Sequence, residues 1–219
     1  MIKKLMITLR QGGKKMLTYM AKRMSSFFIY LNVIKEDDRV IYDYSFEILL
    51  STVINLMAIV ILALVSDTVI LTIWFLLGFI TLRTTAGGFH AETHIGCFFT
   101  LICVYIAFLN LVLILTIDVQ VIATVVNDVI SLLLVIIFSP VEDCNKPFTN
   151  EEYKKFKVVS NITIVVMSAV STVLVFCFER EKWGFSFSLG MLVVSIFLIA
   201  GTLKNKFRER INNKNKGVE

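Results

Sequence analysis

The sequence predicts an all-α fold: a polytopic membrane protein with six transmembrane helices and an N-terminal amphipathic helical segment. Three observations lead there. Hydrophobic residues make up 57% of the 219-residue chain and charged residues only 18%, whereas soluble domains hold about 45–50% and about 25%. The apolar residues gather into charge-poor runs close to the roughly 20 residues that cross about 30 Å of hydrocarbon. The basic residues are segregated to alternate connections between those runs. Together these features exclude a soluble globular domain, a disordered chain, a coiled coil and collagen.

The elements follow in chain order. Residues 1–45 form the first segment, in which no apolar stretch is long enough for a signal-peptide core. From Leu17 onward the apolar residues recur at Met20, Ala21, Met24, Phe27, Phe28 and Leu31, a helical stripe. Lys14, Lys15, Lys22 and Arg23 accompany it, as expected of a helix lying on the inner membrane surface; a soluble helix packed on loops is the alternative. Gly12-Gly13 is expected to break it from a shorter helix before it. Residues 46–203 hold the six spans, in the runs 48–66, 68–82, 95–117, within 119–141, 158–178 and 185–203. Residues 204–219 form a basic tail. Pro140 and Pro147, the two prolines of the chain, bracket the loop 139–147 and stop the fourth span. Asn127-Asp128 interrupts that span, and a late start would bring the pair near the outer interface, where a charge is less costly.

Orientation comes from the cations. With the N-terminus in the cytoplasm, 20 of the 22 Lys and Arg residues fall inside and only Arg180 and Lys182 outside. The positive-inside rule then puts both termini, and the connection between the second and third spans, on the cytoplasmic side of the cell membrane. Membrane lipids are the partner this pattern implies; no nucleic acid is expected.

The connection between those spans carries the chemistry. It reads Arg83-Thr-Thr-Ala-Gly-Gly-Phe-His90-Ala-Glu-Thr-His-Ile-Gly-Cys97 and holds both histidines and one of the four cysteines. The cysteines Cys97, Cys103, Cys144 and Cys177 form no CxxC pair, so no zinc ribbon or redox motif is indicated, and Cys103 and Cys177 read as small buried hydrophobes. Three readings of 83–97 compete. In the first, Cys97 is a nucleophile activated by His90 or His94, near the start of a helix whose dipole favours thiolate. In the second, His90, His94 and Cys97 share a helical face and hold a metal, although the zincin pattern needs Glu directly after the first His and Ala91 stands there. In the third, these side chains only satisfy local hydrogen bonds. Seven residues on one straight helix span about 10.5 Å, too far for a working pair. A His90–Cys97 pair therefore needs the chain to fold back, which Gly87, Gly88 and Gly96 permit.

Arg83, Gly88, His90 and Cys97 match the spacing R-x4-G-x-H-x6-C, and in this the chain resembles the AgrB family (accessory gene regulator protein B). The loop 139–147, Ser-Pro-Val-Glu-Asp-Cys-Asn-Lys-Pro, is similar to the family's second motif, a Pro followed by Asn-Lys-Pro after the fourth span. The six spans and the basic amphipathic N-terminus agree as well, so the resemblance covers nearly the whole chain. It implies a membrane-embedded cysteine endopeptidase. Such an enzyme cleaves the C-terminal tail from a quorum-sensing precursor peptide through a Cys97 acyl-thioester and promotes cyclisation to a thiolactone or lactone. The resemblance carries over Cys97 as nucleophile, His90 as general base, and Arg83 and Gly88 as required residues, with no metal or cofactor. Arg83 could stabilise an oxyanion or bind a substrate carboxylate. Glu92, Glu142 and Asn145 are candidates to orient the imidazole, and His94 lies outside the signature. The implied partners are a precursor with an amphipathic leader and an acidic tail, and a second copy in a homodimer. Lys146, Lys154, Lys155 and Lys157 could attract the acidic tail or anionic lipid heads. The alternatives are an intramembrane zinc metalloprotease using His90, His94 and Cys97, and a small non-enzymatic membrane transporter.

Overall fold

The computed structural model describes residues 2–87, 94–141 and 149–216, with side chains at 16–87, 96–141, 149–207 and 210. Among these residues the chain forms α1 (Ile2–Tyr30), a 3-10 turn (Glu36–Asp38), α2 (Arg39–Val65), α3 (Val69–Ala86), α4 (His94–Ile114), α5 (Ile117–Phe138), α6 (Asn150–Phe176) and α7 (Glu181–Lys216). Six of them, α2 to α7, are long and apolar enough to cross a membrane, as the sequence predicts. Helices suit this setting because they satisfy every interior backbone group within one segment.

Four details differ from the sequence reading. Cys103 and Cys177, read as small buried hydrophobes, are both exposed, as a small apolar side chain can be on the outward face of a membrane helix. The expected break at Gly12-Gly13 is absent, and α1 passes through both residues. A glycine inside a helix costs only about 1 kcal/mol relative to alanine, less than the bonds that flanking helix formers such as Leu, Met, Lys and Arg maintain. The helices also overrun the apolar runs: α2 starts at Arg39, α6 at Asn150, and α7 continues to Lys216. Helical hydrogen bonding extends into polar ends wherever the sequence supports it. At α6 the start is fixed by a capping box, in which Thr149 accepts from the Glu152 amide and the Glu152 side chain accepts from the Thr149 amide. Finally, the fourth span does not start late. Asp128 is the twelfth residue of the 22-residue α5, and a rise of about 1.5 Å per residue puts it at the middle of the span.

The chain forms two compact units, Met1–Val65 with Ala91–Tyr105, and Ser66–His90 with Ile106–Glu219. In the first, α1 turns back on α2 through Asn32, whose φ of 55° is left-handed. The Val33 amide reaches the Phe28 carbonyl at 3.1 Å, the kind of bond that closes a helix C-terminus. Leu17, Ala21 and Ser25 are buried at four-residue spacing. Phe28 stacks on Phe46 with centroids 5.4 Å apart, Thr18 donates to Glu47, and Arg39 donates to Ser26 and Glu36. Met20, Phe27 and Leu31 of the same stripe stay exposed. The amphipathic face is thus divided, one edge spent on α2 and the other free for an apolar surrounding.

The second unit is organised around α7. In its membrane-crossing window 56% of residues are buried, against 17% to 33% in the other five spans. It makes close contacts with α3, α5 and α6. In lipid, helix association depends on close van der Waals approach because no water is displaced. Gly78 and Gly190 allow that approach. A Cβ at Gly78 would lie 2.3 Å from the Phe187 carbonyl oxygen, and one at Gly190 would lie 2.3 Å from that of Phe75 and 2.8 Å from the Phe79 nitrogen. Leu82, Val135, Ile164, Met191, Val194 and Leu198 fill the core around this seam. At the other end of the unit Trp74 stacks on Trp183, and the Arg180 guanidinium lies 4.9 Å from the Trp183 ring, an arrangement suited to a membrane–water boundary. The seam predicts that Gly78→Ala and Gly190→Ala each destabilise the protein by roughly 1–3 kcal/mol, as overpacking against rigid backbone does. Denaturation in detergent micelles measures this, with the outward-facing Val165→Ala as the comparison expected to change little.

Candidate active site and the loop that supports it

The candidate residues lie on two described pieces. Arg83 and Gly87 end α3, and Cys97 occupies the first turn of α4, which opens at His94. Gly88, His90, Glu92, Glu142, Asn145 and Lys146, and the side chain of His94, lie outside the described residues. Among the described residues no three His, Cys, Asp or Glu side chains gather as a metal site would require.

The end of α3 is held from three directions. The Gly87 amide donates to the Arg83 carbonyl at 3.2 Å, and Arg83 Nη1 returns a bond to the Gly87 carbonyl at 3.2 Å. The Arg83 guanidinium also lies over the Phe197 ring, 5.8 Å from its centroid. Arg83 therefore closes the last turn of its own helix, where a cation matches the carbonyl end of the dipole. Gly87 has φ 75°, a conformation that glycine adopts without strain.

The third direction comes from the second motif. The Val141 amide donates to the Ala86 carbonyl at 3.1 Å, and Gly87 and Val141 form a parallel bridge. A Cβ on Gly87 would meet the Val141 carbonyl oxygen at 2.5 Å, so only glycine lets the two strands of backbone approach this closely. Val141 follows the cis Ser139–Pro140 peptide, which is anchored in turn. Lys157 Nζ donates to the Ile136 carbonyl at 2.5 Å and the Ser139 carbonyl at 2.6 Å. The Ser139 and Ser160 hydroxyls bond to each other. Lys157 thus supplies donors to orphan carbonyls at the end of α5, and α6 holds the 139–141 segment against the turn that leads to Gly88 and His90.

Cys97 belongs to the first unit. It is exposed and carries a free thiol. Its sulfur accepts a hydrogen bond from Asn55 Nδ2 at 3.8 Å, and Asn55 is buried in a stripe with Ser51, Ile59 and Ala63 along α2. Asn55 was not among the residues the sequence singled out. The signal was present: an amide inside an otherwise apolar span is costly unless something there needs it.

The support geometry yields a prediction. Lys157→Met removes both donors from the end of α5, and Gly87→Ala forces a Cβ into the Val141 carbonyl. Each is expected to cost about 1–3 kcal/mol. Because both act on one segment, the double mutant should fall short of additivity by at least about 0.5 kcal/mol, whereas unconnected sites add. Detergent denaturation of the four proteins of the cycle measures it, and simple additivity would refute the linkage.

Comparison with known families brings these residues under one heading. The family model for accessory gene regulator B matches residues 14–199, a stretch that contains α2 to α6 and both motif loops. Comparison with curated proteins and with solved structures gives no match. The chain belongs to the accessory gene regulator B family, and is a multi-pass membrane protein of quorum-sensing peptide processing.

Proposed function

We propose that the chain is a membrane cysteine endopeptidase in which Cys97 is the nucleophile and His90 the general base, acting on the cytoplasmic side. The observation that supports this most directly is the Cys97 thiol itself. It is exposed, unpaired with another cysteine, and in the first turn of a span. Asn55 donates to its sulfur, and it completes the R-x4-G-x-H-x6-C spacing in a chain whose family processes peptides. The distribution of Lys and Arg supports the sidedness.

The Cys97 sulfur attacks a carbonyl carbon of the precursor while His90 takes the thiol proton. As the C–N bond breaks, His90 gives that proton to the leaving amine, and the C-terminal tail departs. The peptide is left as an acyl-thioester on Cys97. A side-chain thiol or hydroxyl of the same peptide then attacks, its proton passes to His90, and Cys97 leaves to recover its thiol. Thioester exchange keeps most of the acyl group's free energy, so a thiolactone can form without ATP if water is excluded. Asn55 holds the sulfur in place, and Arg83 acts by shaping the end of α3 rather than by reaching for a substrate carboxylate. Lys154 and Lys155 are exposed and suit attraction of an acidic tail; Lys157 is committed to the end of α5.

Cys97→Ser and His90→Ala are each expected to reduce precursor cleavage to background while the protein still inserts. Asn55→Ala should slow it about tenfold, the value of one net hydrogen bond of roughly 1.4 kcal/mol. The decisive measurement is incubation with a precursor, followed by hydroxylamine release of a truncated peptide from the protein. A cleaved product with no such adduct would sink the thioester route.

A further inference from the structure

The Asp128 carboxyl lies at the middle of α5 with only 6% of its surface exposed. Ser171 of α6 donates to its Oδ2. Its Oδ1 has no partner among the described residues, and neither does the nearby Ser168 hydroxyl. Both residues border one cleft of about 280 Å³ between α5 and α6, walled by Val125, Val129, Leu132 and Leu133, with Thr172 at its margin. Val125, Val129 and Leu133 are 43%, 54% and 53% exposed, so the cleft opens on the outward side of two membrane spans, toward lipid. A buried polar atom without a partner is costly in any apolar medium. An ionisable one at mid-span marks a functional site by default.

The chemistry of the cleft narrows its occupant. α5 carries no Lys or Arg. The nearest cation on α6 is Lys157, eleven residues before Ser168, about 16 Å along the axis, and it is engaged with the Ile136 and Ser139 carbonyls. On the α7 side Asn127 is satisfied by Ser188 at 3.3 Å, and the charged residues of α7 lie toward its two ends. The cleft therefore presents one acidic group, an unpartnered carboxyl oxygen and hydroxyl, and apolar walls. An anion would be repelled. An apolar guest would leave both oxygens unpaired, and a neutral donor would pair with them without balancing the charge the carboxyl carries when ionised. A cationic N–H donor on an apolar body satisfies all three, and the volume admits a group of side-chain size. We propose that this cleft is a binding site for an amphiphilic cation, an ammonium or guanidinium on an apolar body, which enters from the bilayer and pairs with Asp128.

The test uses the full chain in phosphatidylcholine vesicles, dodecylammonium as the probe, and dodecanol as its neutral counterpart. Dicyclohexylcarbodiimide, which partitions into hydrocarbon, reports access to the carboxyl. The carboxyl oxygen adds to the carbodiimide carbon, the acid proton goes to nitrogen, and rearrangement leaves a stable N-acylurea that peptide mass spectrometry locates. Asp128 is expected to be labelled, and dodecylammonium should slow labelling at least tenfold while dodecanol does not. A photoactivatable alkylammonium should cross-link to α5 or α6 in the wild type and in Asp128→Glu, and at least tenfold less in Asp128→Asn. Absence of labelling at Asp128 would overturn the proposal. So would equal protection by dodecanol, which indicates a purely apolar dock. Protection that rises with protein-to-lipid ratio in the absence of amine would also overturn it, because a second copy would then fill the cleft. The labelling arm uses the wild type alone, so a folding defect in Asp128→Asn leaves the proposal falsifiable.

Discussion

A polar group at membrane depth must find its partner inside the protein, and most of this structure follows from that constraint. It makes each span a helix, since a helix consumes its own backbone groups. It also governs the side chains. Gln120 turns its amide to the Val112 and Leu115 carbonyls at 3.0 and 2.9 Å, closing the end of α4. Thr124 bonds back to the Gln120 carbonyl, and Asn127 reaches Ser188. At the ends of α3 and α5 the loose carbonyls are met by Arg83, Lys157 and the Val141 amide. In the second unit α7 is the most buried of the spans, and the glycine seam brings its backbone close to that of α3.

The spans were legible because they depend on composition and length, which a one-dimensional reading measures well. Each apolar run in the sequence became one helix. The ends were less legible, since helix continuation at Arg39 or Lys204 depends on local hydrogen bonding rather than on hydropathy. Gly12-Gly13 was misread for a related reason: glycine weakens a helix by an amount that good neighbours outweigh. Asp128 was misread because its cost seemed too high at mid-span; the neighbouring Ser171, which lowers that cost, comes from a helix 43 residues away in sequence. In the candidate site, the local spacing of Arg83, Gly88, His90 and Cys97 was readable. Asn55 was not, because its relation to Cys97 exists only after α2 and α4 pack.

The two sequence motifs are one structural object at the point where Ala86 and Gly87 meet Val141. Glycine at 87 provides both a left-handed backbone and a surface without a side chain, and Val141 occupies the space so created. The position of Val141 depends on Ser139, which depends on Lys157 and Ser160 of α6. A residue on the sixth helix thereby constrains the turn after the third.

The same contacts change the meaning of the charge count. In the proposed orientation twenty cations face one side, which suggests a broad basic surface for lipid or for an acidic peptide. Arg83 and Lys157, however, are spent on the carbonyl ends of α3 and α5, where a helix presents partial negative charge. In the orientation proposed above, even-numbered spans end on the cytoplasmic side with their C-terminal carbonyls, so a basic residue at such a position serves topology and helix closure together. Among the described residues around the second motif, Lys154 and Lys155 stand exposed on the first turns of α6. The cations that hold helix ends are thus distinct from those that stand free of such a role, a division the sequence alone does not display.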